Sequence, residues 1–138
     1  METIRRPLAV ILGVITIAVA FHFIFSTFYP DSVDVGQVWD ILDWFMAFAV
    51  LVTLVLAYMR KKNMTSDSMD AKMYVRVNLV FYSALWLAIW FFWNWFDNLA
   101  SGAELQDDIH LTLWAFIDPL FIIVVGRLSV RLWKGDSR

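Results

Sequence analysis

Charged residues fall along this chain in clusters, and the apolar stretches between the clusters have similar lengths. Residues 7–30 run for 24 positions without an Asp, Glu, Lys or Arg. Sixteen uncharged positions separate Asp43 from Arg60, and the apolar pattern reaches upstream through Val38 and Ile41. Twenty separate Arg76 from Asp97, and residues 109–126 give 18 more with one acid among them, Asp118. A helix needs about 20 mostly apolar residues to cross a bilayer. The pattern therefore predicts four transmembrane helices, at about 7–28, 38–59, 74–99 and 109–132. The apolar/polar alternation of a membrane barrel is missing, and the chain carries no repeat.

Local signals mark the ends. Pro7 suits the first turn of helix one, where its missing N–H costs nothing. Pro30 stops that helix. Ser101-Gly102 can close helix three, and Asp107 or Asp108 can cap helix four. The connections 29–37, 60–73 and 100–108 are short, so consecutive helices should be antiparallel neighbours. The expected fold is all-α, one up-down four-helix bundle over residues 1–138. Arg5-Arg6, the apolar run 8–17 and Ala18-Val19-Ala20 imitate a cleavable signal peptide. We read the segment as a retained helix that also directs insertion.

Composition removes the soluble alternative. Hydrophobic residues are 61 % of the 138 and charged residues 17 %, against about 45–50 % and 25 % in soluble domains. Eight Trp, twelve Phe and four Tyr exceed what so small a soluble core could hide. With no Cys, disulfides, thiolate metal sites and thiol nucleophiles are excluded.

Charge sets the orientation. The basic residues are Arg5, Arg6, Arg60, Lys61, Lys62, Lys72, Arg76, Arg127, Arg131, Lys134 and Arg138. All lie at the N-terminus, the second connection or the C-terminal end. The first and third connections, with the helix ends beside them, hold Asp31, Asp34, Asp40, Asp43, Asp97, Glu104, Asp107 and Asp108. The formal net charge of −2 thus conceals a basic end and an acidic end. By the positive-inside rule both termini and the 60–73 connection are expected to be cytoplasmic. The acidic side makes nucleic acid an unsuitable partner, and the basic side suits anionic lipid headgroups.

Polar residues within the spans are the candidate sites. Asn78, Tyr82, Trp86, Trp90, Asn94 and Asn98 recur every four positions on helix three and form one winding ridge. Hydrogen-bonding tips on such a ridge suit docking to a neighbouring helix, in this chain or another. The plainer reading is core residues plus an interfacial belt, which Trp93 and Trp95 fit by depth but Trp86 and Trp90 do not. Ala9, Gly13, Thr16 and Ala20 form a small-residue stripe that lets helix one approach a neighbour closely. His22 lies nine positions from Gly13, half a turn away, so one of these two faces is expected to meet lipid or a partner.

His110, Trp114 and Asp118 recur at steps of four on helix four. Asp118 falls near the bilayer centre, and Pro119 after it frees the Ala115 carbonyl. An ionised carboxyl is costly there, so a partner is expected, with the Trp90 indole and His22 at similar depth. An acid in this position is a functional-site candidate, for a proton or ion or for a partner subunit; a purely structural bond at the Pro kink is the plainer reading. The acidic rim raises a metal reading as well. His22, His110, Asp107 and Asp108, with Asp40, Asp43 and Asp97, could supply N and O ligands. No compact ligand spacing occurs, and the two His differ in depth, so no metal and no other cofactor is expected in this chain. Motifs for proteolysis, nucleotide binding or phosphoryl transfer are absent.

Size, missing catalytic constellation and surplus aromatics together point to a non-catalytic accessory subunit. Its expected partners are other integral-membrane subunits and lipids. A small redox or ion-handling protein using Asp118 with His22 or His110, and a transient assembly factor, are the alternatives. The Trp86-Leu-Ala-Ile-Trp90-Phe-Phe-Trp93-Asn94-Trp95 run precedes an acidic connection, Asp107-Asp108-Ile109-His110 and Phe116-Ile117-Asp118-Pro119. In that layout the chain resembles small multi-helix accessory subunits of membrane copper monooxygenases, the methane, ammonia and hydrocarbon oxidisers. Accessory subunits of respiratory complexes share the plan. The resemblance implies a bacterial or archaeal cytoplasmic membrane and copper chemistry on other chains, and it carries no functional residue over.

Overall fold

A computed structural model describes residues 2–64, 70–101 and 107–135. Four helices account for nearly all of them: α1 (Glu2–Phe25), α2 (Val35–Lys62), α3 (Ala71–Ser101) and α4 (Asp108–Lys134). A single 3-10 turn, Ser26–Phe28, ends α1, and the chain turns extended at Tyr29, just before Pro30. All four helices are long and apolar enough to cross a membrane. The expected closure at Gly102 and the acid Glu104 lie outside the described residues.

The helices run past the apolar spans because their polar ends keep helical hydrogen bonding and gain capping. Asp34 caps α2, its carboxylate accepting from the Gln37 N–H at 3.0 Å, and Arg60, Lys61 and Lys62 occupy the last turn. Cations there complement the helix dipole. Asp107 caps α4 through the His110 N–H at 3.0 Å. Gly135 ends α4 with φ of 73°, a conformation that favours glycine. Pro7 is not in the first turn as the sequence suggests. Helix α1 begins at Glu2, which puts Pro7 inside it and leaves the Thr3 carbonyl without its usual partner.

Contacts along the seams show α1 and α4, and likewise α2 and α3, to be antiparallel. Ser129 of α4 donates to the Ala9 carbonyl of α1 at 2.8 Å. Farther along, a Cβ on Gly126 would lie 3.2 Å from the Thr16 methyl. At the far end, a Cβ on Gly135 would lie 2.7 Å from the Arg5 guanidinium. On the α2–α3 seam, Lys61 Nζ lies 4.3 Å from the Tyr82 ring centre, and Trp44 meets Trp95 edge-on at 4.8 Å. Phe91 against Trp114, at 6.0 Å, joins α3 to α4. The core runs through all four helices, with Leu12, Val19, Met46, Val50, Leu87, Phe91, Ile117, Phe121 and Val125 essentially inaccessible.

Helices α1 and α4 form the most intimate pair, and the small-residue stripe explains it. Ala9 and Thr16 are buried, and Gly13 faces Ser129 so closely that a Cβ would sit 2.9 Å from its Oγ. In lipid, helices associate through such close backbone packing and through interhelical hydrogen bonds. Ala9, Gly13 and Thr16 therefore pack within this bundle, and Ala20 is half-buried.

Candidate functional site

At the acidic end α3 and α4 are joined by a polar latch. Asn94 is fully buried. Its amide N–H donates to the His110 backbone carbonyl at 3.0 Å, and its side-chain oxygen meets His110 Nδ1. Since an amide oxygen only accepts, Nδ1 carries the proton in this pair. Nε2 then faces the Asp97 carboxylate at 3.8 Å, and Trp93 packs edge-on against the ring at 5.1 Å. The latch uses Asn94, a ridge residue, and His110, a candidate ligand, in one structural unit.

His22 lies at the same end in a different setting. It is buried, and the Gly13 face packs on α4, so both faces meet neighbours within the chain, where one of the two was expected to meet lipid or a partner. Helix α1 is flanked by α4 on the small-residue side and by α2 on the His22 side. The Tyr29 hydroxyl lies 3.1 Å from Nδ1, and Trp39 packs edge-on at 4.6 Å. The Val35 backbone lies beside the ring, without forming a hydrogen bond to Nε2. His22 thus ties the 3-10 corner and α2 to α1. Among the described residues, no three His, Asp or Glu side chains gather where they could hold a metal ion. Asp107, Asp108 and Asp40 are exposed, and Asp107 is occupied as a cap.

Asp118 is buried at 3 % exposure, and so is Asp43 on α2. Asp43 does not belong to the acidic rim where its sequence neighbours place it. It lies eight residues into α2, or about 12 Å, and Asp118 lies ten into α4, or about 15 Å. Their carboxyls are near enough to interact electrostatically. Among the described residues Asp118 Oδ1 has no hydrogen-bond partner, and neither the Trp90 indole nor His22 supplies one. Sequence reasoning missed Asp43 as a membrane-depth acid. The signal was present, since Ile41-Leu42 precede it and an apolar run follows it.

The α3 ridge divides between inside and outside. Asn94 points into the bundle. Trp90, Asn78 and Asn98 are half-buried, with Asn78 donating to its own helix at the Tyr74 carbonyl. Tyr82 and Trp86 are 55 % and 52 % exposed, so the bundle encloses neither, although Tyr82 meets Lys61 of α2. Tyr82 accepts from Lys61 Nζ at 3.2 Å. Trp86 packs at a tilt against Trp90 at 5.1 Å, and no described residue accepts its indole N–H. Trp93 is exposed as an interfacial belt residue would be, whereas Trp95 is buried and stacks on Phe91 at 5.7 Å. Helix twist carries Trp95 onto the core-facing side two positions after Trp93.

Between α1 and α2 an apolar groove of about 430 Å³ opens sideways from the bundle near the acidic end. No family model, no curated protein and no solved structure matches this chain.

Proposed function

We propose that this chain is a non-catalytic accessory subunit of a larger integral-membrane enzyme complex. In this reading both termini and the 60–73 connection are cytoplasmic, and the acidic end faces the opposite side. One observation carries the proposal. Trp86 stands at the midpoint of α3, about 22 Å from either helix end by helical rise, and is half exposed. Membrane tryptophans ordinarily sit at the two interfaces, where the indole N–H meets water or headgroups. Hydrocarbon offers that N–H no acceptor, and a neighbouring subunit's helix does. The low buried share of the four apolar windows, between 22 % and 39 %, leaves ample surface for such a neighbour.

The layout resemblance makes a membrane copper monooxygenase the partner class we propose. The metal and substrate chemistry would then belong to other chains, and this one would hold them in position. Isolation from native membrane in mild detergent, with identification of co-purifying chains, tests the reading. Presence in the mature enzyme distinguishes a resident subunit from an assembly factor. A second reading, a proton- or ion-handling protein, is favoured by the proximity of Asp118 and Asp43. It replaces His22 and His110 with Asp43 as the group that works with Asp118. Unaltered activity of the parent enzyme with Asp118→Asn would remove it.

A further inference from the structure

We propose that the groove between α1 and α2 seats one acyl chain of a phospholipid with an amine-bearing headgroup, its head at the acidic end. The inference goes beyond the accessory-subunit reading and rests only on the chain's membrane location. Val14, Ile17, Ala18 and Phe21 of α1 and Val38 and Leu42 of α2 form the walls, all apolar, while His22 and Tyr29 close the acidic end. The groove follows α1 from Val14 to the corner at Tyr29. Tyr29 folds back against His22, so the length along α1 is that from Val14 to His22, about 12 Å by helical rise, running from near the middle of the span toward its acidic end. A helix from another subunit would need a seam along the whole bilayer thickness. A single leaflet's acyl chain needs half of it.

The segment leaving the groove's polar end sets the headgroup. Asp31 and Asp34 follow Tyr29 and are exposed, and residues 29–37 contain no Lys or Arg. Anionic headgroups are repelled there, and an ammonium-bearing headgroup is attracted. Each charge near the membrane surface changes lipid preference by about fivefold. His22 and Tyr29 are tied to each other, so the groove's end is preformed.

The test uses the full chain in nanodiscs holding equal phosphatidylethanolamine and phosphatidylglycerol, released into mild detergent and weighed by native mass spectrometry. One retained phosphatidylethanolamine per chain is expected, favoured about fivefold or more. Ala18→Trp fills the groove and should abolish retention, whereas Val130→Trp, on an exposed α4 position, should not. Asp31→Asn with Asp34→Asn should keep the retained lipid but lose the headgroup preference, since Asn still caps α2. Should Ala18→Trp fail to fold, a photoreactive acyl chain in the wild type gives the same answer by labelling residues 14–21. Retention unaffected by Ala18→Trp, labelling elsewhere, a preference for phosphatidylglycerol, or a non-lipid molecule in the groove would overturn the proposal. None of these outcomes bears on whether other subunits co-purify from native membrane, so the two readings fail separately.

Discussion

Gly13 on α1 and Ser129 on α4 approach so closely that a Cβ on the glycine would lie 2.9 Å from the serine Oγ. That same hydroxyl donates to the Ala9 carbonyl one turn away. Close approach and interhelical hydrogen bond therefore belong to one seam, and neither survives a larger residue at position 13. We expect Gly13→Leu to destabilise the bundle by about 1–3 kcal/mol, the usual cost of overpacking. Gly126→Ala should cost less, because the Thr16 methyl it approaches at 3.2 Å needs to give only a few tenths of an ångström. Unfolding from mixed micelles by a denaturing detergent reads both. Equal stability of Gly13→Leu and wild type would mean that this seam is looser than described.

The Asn94–His110 latch predicts coupling. Removing either side chain leaves the other short of a partner inside the bundle. A double-mutant cycle on Asn94→Ala and His110→Ala should return about 0.6–1.7 kcal/mol, the range found for interhelical hydrogen bonds in membranes. Strict additivity of the two substitutions would show that the latch contributes nothing.

Asp43 and Asp118 predict the opposite sign. Two buried carboxyls near each other, one with an unpartnered oxygen, are a cost that the fold carries. Asp43→Asn and Asp118→Asn should each leave the bundle as stable as wild type or more so, by up to about 1–3 kcal/mol. A loss above about 1 kcal/mol in either variant would mean that the carboxyl holds a partner the asparagine cannot keep.

Orientation can be read directly, because the chain has no Cys. With Asp31→Cys, a membrane-impermeant thiol reagent should label intact cells. With Asn63→Cys, labelling should require permeabilisation. The reverse pattern would invert the topology.

The helices were legible because charged residues interrupt apolar runs of bilayer length, and the basic residues separate cleanly from the acids. The helix ends were less so. Apolar pattern stops near residue 59, yet α2 continues to Lys62, because helical hydrogen bonding does not require apolar side chains. Asp43 was misplaced by grouping acids according to sign and nearest connection instead of depth along the helix. That the Gly13 and His22 faces of α1 are both packed was not legible, because angular position says which face a residue occupies, but not how many neighbours the helix has. The Asn94–His110 pairing depends on the axial offset between α3 and α4, which no pattern within either helix encodes. Trp86 was legible as too deep for an interfacial belt, and only the packing of α3 reveals that it points outward.

The proposed subunit role turns on what covers Trp86. Site-specific photo-crosslinking from position 86 in the native membrane tests it most directly, with Ile123, an exposed α4 residue, as the comparison site. A discrete crosslink is expected from position 86 to one integral-membrane chain, found in the mature complex and absent from position 123. Crosslinks to lipid alone at both positions would contradict it.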